Sequence, residues 1–193
     1  MELNELIKTV EQNLADLKAM AAREAAKAAR TDTRPVTERV KTFEDALREL
    51  GEEHPLAKQW WDFEAMTDGG EGTCDNADLV AYYKLRIITA ALNEGWTPEF
   101  KVGEWRYCPY LWLYTKEEWA KLSDEDKEGG LLVGGSANYS SICGFAYLYA
   151  NRRPSSTYAL YGSRLCYKSK ELAMYSGRQF VELWADYYLI RRA

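Results

Sequence analysis

The stretch ADLVAYYKLRIITAALNEG, residues 77–95, carries the strongest secondary-structure signal in the chain. Its apolar residues recur at spacings of three and four, the pattern of a helix with one buried side. Leu85, Ile88 and Leu92 widen this stripe until it covers most of the circumference, which is typical of a helix at the centre of a core. We therefore predict a central helix that stops at Gly95. Its stripe consists of Leu79, Tyr82, Tyr83, Arg86, Ile87, Ala90 and Ala91.

Beyond Pro98 the periodicity changes from helical to alternating, which indicates strands. In residues 110–115 we expect Tyr110, Trp112 and Tyr114 on one face and the two intervening leucines on the other, with Pro109 at an edge or a strand start. Residues 131–135 and 143–149 predict two further strands, and residues 157–161 and 164–168 predict two more, joined by a tight turn at Gly162 and Ser163. In residues 143–149 we expect one face of the strand to carry Cys143, Phe145, Tyr147 and Tyr149. The other face would carry Gly144, Ala146 and Leu148.

Capping residues predict the remaining helices. Thr42 with Asp45, and Thr115 with Glu118, have the spacing of capping boxes, and Pro55 favours a helix start. Ser169 is a predicted N-cap for a last helix over residues 170–190, with a loosening at Ser176 and Gly177. Helices dominate the first half and strands the second, so we predict an α+β fold: an antiparallel meander of three to five strands with helices on one side.

Residues 3–29 predict one long N-terminal helix with a heptad-like apolar stripe that is interrupted by Asn13. The stripe is too weak to fold alone, so it needs a partner, either a second copy or the body of the same chain. Residues 31–35 are the predicted linker, and residues 36–193 the predicted globular domain. The candidate self-association residues are Leu3, Leu6, Val10, Leu14 and Leu17.

Charge is unevenly distributed. The chain has 25 basic and 30 acidic residues, but residues 143–193 hold eight basic and only three acidic ones. Because exposed charges are screened over about 8 Å at physiological salt, this C-terminal part can attract an anionic partner despite the negative total. No apolar run reaches the roughly 20 residues that a membrane helix needs, and the N-terminus lacks the features of a signal peptide. We expect a cytoplasmic protein with four reduced, mostly buried cysteines and no membrane partner.

Two explanations fit the alternating tyrosines. In the first, they cover the half-buried outer face of a sheet, where a ring buries area and a hydroxyl reaches water. In the second, the aromatic face and its flanking basic residues form a recognition platform for a protein or for nucleic-acid bases. The candidate binding residues are Tyr147, Tyr149, Arg152, Arg153, Tyr161, Arg164 and Lys168.

Motifs for catalysis or cofactor binding are missing. The chain has no phosphate-binding glycine loop, nucleophile elbow or zinc-protease motif. Residues 124–135 begin like a calcium loop but end in Gly135 instead of glutamate. The single histidine, His54, is interpreted as a surface or capping residue. We therefore expect no enzyme activity, no cofactor and no metal.

Three segments within residues 36–190 stand out together: VTERVKTFEDALRELGEEHPL, DLVAYYKLRIITAALNEGW and GSRLCYKSKELAMYSGRQFVELWADY. They resemble a family of proteins from gut anaerobic bacteria, found especially in their prophages and phages, for which no activity is established. The resemblance implies a viral or mobile-element setting and carries no functional residues to this chain. Together with the missing motifs, it predicts a binding or assembly protein, either a virion component or a host-takeover factor. The alternative is a nucleic-acid or nucleotide binder.

Overall fold

The computed structural model describes residues 32–66, 76–99, 101–133, 143–154 and 164–189. Helices and an antiparallel sheet share one hydrophobic core within these residues, which confirms the α+β class. In chain order the helices and strands are α1 (Val36–Arg39), α2 (Phe43–Leu50), α3 (Pro55–Met66), α4 (Ala77–Asn93), β1 (Trp105–Tyr114), α5 (Lys116–Lys121), α6 (Asp124–Lys127), β2 (Leu131–Val133), β3 (Cys143–Pro154), α7 (Lys170–Gln179) and α8 (Val181–Tyr188).

Helix α4 lies at the centre of the core, as its sequence predicts. Leu85, Ile88 and Leu92 are fully buried, so the side of the helix that widens the stripe faces inward. Leu79, at the start of the predicted stripe, is instead half exposed. The helix ends where Glu94 and then Gly95 adopt left-handed backbone conformations, with φ angles of 50° and 85°. Glycine tolerates this conformation without a steric penalty, which explains the predicted stop.

The predicted caps form local hydrogen bonds. The Thr42 hydroxyl accepts a hydrogen bond from the Asp45 backbone N–H, and the Asp45 carboxylate accepts one from the Thr42 N–H. Thr115 and Glu118 make the same reciprocal pair at the start of α5. The Ser169 hydroxyl accepts from the Leu172 N–H at the start of α7. These bonds satisfy N–H groups that have no partner inside the helix.

The three strands are antiparallel and lie in the order β1-β3-β2, so the predicted meander is wrong. In a meander β2 would lie between β1 and β3. Because β2 has only three residues and β3 has twelve, β2 could pair with only a small part of β3. The two long strands pair with each other along ten residues of β1, from Trp105 opposite Pro154 to Tyr114 opposite Gly144. The short strand β2 lies at one edge of the sheet, where its three residues leave few backbone groups unpaired. Pro109 lies on the other edge strand, as predicted.

The last two predicted strands have different outcomes. Residues 157–161 and the turn at 162–163 lie outside the described residues. Residues 164–168 form no strand, and their only ladder contact among the described residues is an isolated bridge to β1. In this bridge the Tyr107 N–H donates to the Tyr167 carbonyl oxygen at 3.0 Å, and the Tyr167 N–H donates to the Tyr107 carbonyl oxygen at 2.8 Å.

The faces of the sheet differ from the prediction on β3. Leu111 and Leu113 pack against the core as expected, but so does the aromatic Phe145, which is 3% exposed. The small residues Gly144 and Ala146 lie on the opposite face, beneath α5. Helical segments therefore contact both faces of the sheet rather than one, because the bulk of Phe145 fills the core while small residues admit a close neighbour outside.

The C-terminal helix is divided in two at Phe180, not at Ser176 and Gly177. Phe180 has non-helical backbone angles, φ −115° and ψ 32°, and its ring packs edge-on against Tyr175. Ser176 and Gly177 are fully buried within α7. Their small size allows close packing in the core, so they mark a tight contact rather than a weak point.

A buried polar cluster joins four segments at the centre of the core. It consists of Thr89, Tyr167, Ser176 and Trp184. The Tyr167 hydroxyl donates to Ser176 Oγ at 2.6 Å and lies 3.0 Å from Thr89 Oγ1, and the Trp184 indole N–H donates to Ser176 Oγ at 3.2 Å. Burial raises the pKa of the Tyr167 phenol, so it stays protonated at physiological pH. The cluster fixes the relative positions of α4, residues 164–168, α7 and α8.

The predicted N-terminal helix and its residues Leu3, Leu6, Val10, Leu14 and Leu17 lie outside the described residues. Of the predicted linker, Asp32 and Arg34 form an exposed ion pair, and Pro35 immediately precedes α1. Within the part of the chain that the structure describes, no helix combines the length and apolar character needed to cross a membrane.

Glu94 is the centre of an ion-pair network at the end of α4. It pairs with Arg39 at 2.6 Å and with Lys168 at 2.8 Å, while Arg39 also pairs with Glu49. The bond from Lys168 is the largest cause of a lowered Glu94 pKa. Since this carboxylate has a lower pKa folded than unfolded, its stabilising effect is fully present above the ordinary glutamate pKa of about 4.3 and is lost as the pH falls below that value through the lowered pKa.

We expect Glu94→Gln to lower the free energy of unfolding by about 0.5 kcal/mol at pH 7, because the carboxylate is partly exposed and screened by solvent. The difference from the native chain should vanish near pH 3. Urea denaturation at pH 7 and pH 3 measures both values. Glu99→Gln is the matched control, since Glu99 pairs with Lys101 on the surface and both are 65% exposed. A difference that persists unchanged at pH 3 would mean that the effect is not electrostatic.

Candidate interaction surface

The sheet presents an apolar surface on the side facing away from the core. Trp112 lies opposite Ala146, and Leu132 lies opposite Gly144, so both side chains project from the same face. Trp112 is 45% exposed and Leu132 is 57% exposed. The Tyr110 ring stacks on Trp112 with 6.2 Å between ring centroids. We call Tyr110, Trp112 and Leu132 the outer sheet surface.

A β-bulge sets the geometry at one end of this surface. The register of β1 and β3 shifts between Tyr110 and Leu111, where Tyr110 pairs with Tyr149 but Leu111 pairs with Tyr147. A bulge leaves one extra residue on one strand and increases the local twist. The bulge lies directly beside the stacked pair of Tyr110 and Trp112, so the aromatic part of the surface begins at the register shift.

Trp119 of α5 covers the middle of the same face. An added Cβ at Gly144 would lie only 1.8 Å from Trp119 Cε3, and one at Gly130 would lie 2.6 Å from Trp119 Cη2. The indole therefore rests directly on backbone, and Tyr114 packs beside it with a centroid distance of 6.2 Å. The capping box at Thr115 fixes the start of α5 and thereby positions this indole. Trp112 and Leu132 remain exposed at its two sides.

The predicted binding residues of β3 are placed by backbone register only. Arg152 lies opposite Tyr107 and Arg153 lies opposite Arg106, beyond the bulge from the outer sheet surface. The side chains of Tyr147, Tyr149, Arg152 and Arg153 lie outside the described residues, as does the whole of Tyr161.

Of the other predicted binding residues, Arg164 is exposed and Lys168 is half-buried. Lys168 pairs with Glu94, and its backbone N–H donates to the Asn93 side chain at 3.1 Å. The structure thus gives Lys168 a role in holding residues 164–168 against the end of α4. It does not bring Lys168 together with the outer sheet surface.

Several ionisable side chains in the described residues make structural contacts. His54 Nδ1 accepts a hydrogen bond from the Leu56 N–H at 3.2 Å, so His54 caps α3, and burial lowers its pKa. A search of the described ranges finds no group of metal-ligating side chains. A shallow depression on α7, lined by Glu171, Tyr175 and Arg178 among others, is open to solvent. Each side chain of the buried polar cluster is at most 3% exposed.

Sequence reasoning placed Trp112 on an aromatic face but missed Leu132 and the covering role of Trp119. One signal was available. Gly144 stands in a strand otherwise rich in large residues, and an isolated glycine in a strand often marks a close approach by another group. The sequence pattern does not identify which group approaches, because Trp119 and Gly144 are 25 residues apart and meet only through tertiary packing.

Comparisons with known proteins found no matching family model, no similar curated protein and no similar solved structure.

Proposed function

We propose that this chain is a non-enzymatic binding and assembly protein that acts through protein–protein contacts, with a second copy of the chain bound at the outer sheet surface. The observation that carries this proposal is the exposure of Trp112 and Leu132 on one sheet face, beside the stacked ring of Tyr110. Aromatic side chains are enriched in protein interfaces, where each buries a large area with few rotatable bonds.

We infer that the N-terminal segment of another copy binds the outer sheet surface. Residues 3–29 carry a predicted apolar stripe that needs another apolar surface to be stable. The outer sheet surface offers such an area, and it belongs to the same polypeptide. Docking of the stripe from one copy on the sheet of another would satisfy both surfaces and link the copies.

The resemblance of residues 36–190 to phage and prophage proteins supports a viral setting for this assembly. A virion component needs repeated contacts between copies, which self-association provides. A host-takeover factor in the cytosol of the host cell would use the same surface for another protein. Nucleic-acid binding by the basic C-terminal part is less favoured, because Lys168 is already paired with Glu94.

Self-association is tested on the full chain by light scattering over a concentration series. We expect a dimer or larger assembly for the native protein. Trp112→Thr combined with Leu132→Thr should weaken self-association at least about tenfold, since loss of a central hot-spot residue costs about 2 kcal/mol or more and each 1.4 kcal/mol is tenfold in affinity. Leu6→Asp combined with Leu17→Asp should have the same effect, because both pairs of substitutions remove one side of a single interface.

Leu79→Gln is the control for the loss of an exposed apolar side chain, since Leu79 is 51% exposed on α4, away from the sheet. It should leave the mass unchanged. A native chain that is monomeric throughout the series would contradict self-association and favour docking of the stripe on its own domain. If the combined Trp112→Thr and Leu132→Thr variant still assembles like the native chain, the outer sheet surface is not the interface. Salt-dependent binding of a labelled oligonucleotide would favour the alternative function.

A further inference from the structure

Cys108 of β1 and Cys166 are brought face to face by the bridge between Tyr107 and Tyr167. In an antiparallel ladder, two residues that exchange both backbone hydrogen bonds are flanked by pairs that exchange none. Because Tyr107 and Tyr167 exchange both, the next residue of β1 and the preceding residue of the other segment form such a flanking pair. Flanking pairs have Cα atoms about 4.5 Å apart, within the range of roughly 4.4–6.8 Å that a disulfide spans.

The two side chains also share a side of this ladder. Tyr107 packs against the core and Tyr167 lies within it, so the residues next to them project the other way. Both cysteines are nevertheless buried, Cys108 at 8% and Cys166 at 0% exposure. The charges of Arg106 and Glu104 act on the Cys166 thiol, and both residues alternate with Cys108 along β1 and the turn before it. The register of the bridge thus puts both cysteines on the side of the ladder opposite Tyr107 and Tyr167.

We propose that Cys108 and Cys166 are a dithiol site that closes to an intramolecular disulfide by exchange with a small-molecule disulfide. The Cys108 sulfur attacks the reagent, forming a mixed disulfide and releasing one thiol. The Cys166 sulfur then attacks the Cys108 sulfur and releases the second thiol. Two protein thiols are oxidised, the reagent is reduced to two thiols, and the two protons pass to them.

The order of attack follows from burial. Burial raises the pKa of the Cys166 thiol to about 11, so little of it is thiolate at neutral pH. Cys108 is the more exposed of the two and is the better site for the first step. Once the mixed disulfide forms, Cys166 is already adjacent and needs no large movement to displace the leaving thiol.

Closure would change the connection between the sheet and the C-terminal helices. In the reduced protein the described ladder contact between β1 and residues 164–168 is a single bridge. The disulfide would add a covalent link beside that bridge and close a loop of roughly 60 residues, which stabilises mainly by restricting the unfolded chain. The chain would then be more resistant to unfolding in an oxidising environment than in a reducing one.

The test uses the full chain carrying Cys74→Ser and Cys143→Ala, so that only Cys108 and Cys166 remain of its four cysteines. The folded protein is treated with oxidised glutathione, denatured in excess N-ethylmaleimide and analysed by intact mass and peptide mapping. We expect monomeric protein that has lost two hydrogen atoms and binds no maleimide, with a linked peptide containing both cysteines. The urea midpoint should be higher than that of the reduced protein.

Two further variants separate this site from general thiol reactivity. With Cys166→Ala added, Cys108 should accumulate a glutathione adduct. With Cys108→Ala added, Cys166 should react far more slowly, because it is fully buried. Any of three outcomes would overturn the proposal. They are two maleimide adducts per chain after oxidation of the folded protein, a disulfide between separate molecules, and a disulfide that forms only when urea is present.

Discussion

Gly144→Ala is expected to lower the free energy of unfolding by about 3 kcal/mol, a large effect for the addition of one methyl group. The new Cβ would lie 1.8 Å from Cε3 and 2.4 Å from Cδ2 of Trp119, both atoms of the rigid six-membered ring. Inserting a carbon into a packed contact costs about 1–3 kcal/mol or more, because the neighbouring side chain or backbone must shift. Urea denaturation followed by circular dichroism measures the change.

Removal of the indole should suppress this effect. In a Trp119→Ala background, the same Gly144→Ala substitution should cost less than about 0.5 kcal/mol, because the space above the strand is then open. Lys121→Ala is the control for a change in the element that carries the indole, since Lys121 is exposed at the end of α5. An equal cost in both backgrounds would mean that the clash with Trp119 is not the cause.

Ser176→Ala should lower the free energy of unfolding by about 2 kcal/mol although it removes a single oxygen. Ser176 Oγ accepts hydrogen bonds from both the Tyr167 hydroxyl and the Trp184 indole, and all three side chains are buried. Losing the acceptor leaves the Trp184 N–H without this partner, and a buried unsatisfied donor costs about 1–3 kcal/mol. The Tyr167 hydroxyl can still turn towards Thr89 Oγ1, which limits the loss.

The double substitution Ser176→Ala with Tyr167→Phe provides the test of this cause. The double substitution should lower the free energy of unfolding by less than the sum of the two single substitutions. Ser176→Ala takes one partner from the Tyr167 hydroxyl, and Tyr167→Phe removes that hydroxyl altogether. Ser123→Ala, which removes an exposed cap of α6, is the control for loss of a hydroxyl at the surface. Strict additivity within the core pair would show that the hydrogen bond between them contributes little.

Features that depend on neighbouring residues could be predicted from the sequence. The capping boxes at Thr42 and Thr115 and the N-cap at Ser169 each involve partners three residues away. The central position of α4 follows from its nearly complete apolar circumference. In each case the residues that decide the structure are close together in the chain, so a local pattern carries the information.

Features that depend on residues distant from one another in the chain could not be predicted from the sequence. The order of the strands is set by which long strand pairs with which, and nothing local distinguishes β2 from β3 as the partner of β1. The division of the last helix at Phe180 depends on packing against Tyr175 and on Ser176 reaching the buried polar cluster. Gly144 indicated a close contact, but its partner Trp119 lies 25 residues earlier, in another element.

The candidate surface was partly predictable for the same reason. Alternation placed Tyr110, Trp112 and Tyr114 on one face, and the structure agrees. It could not show that Tyr114 is covered by Trp119 while Trp112 stays exposed, since coverage depends on where α5 returns over the sheet.

The position of β3 between β1 and β2 has a consequence for synthesis on the ribosome. Both outer strands emerge before their common partner, so the sheet cannot begin to pair until residues 143–154 have left the exit tunnel. The core is also incomplete until Trp184 and Leu189 have been translated. Until then β1 presents unpaired backbone and Trp105 and Trp112, which is the kind of segment that chaperones bind in nascent chains. We therefore expect folding of this domain to begin only after residues 143–189 have been synthesised, and its yield to fall as the interval between synthesis of β1 and of β3 lengthens.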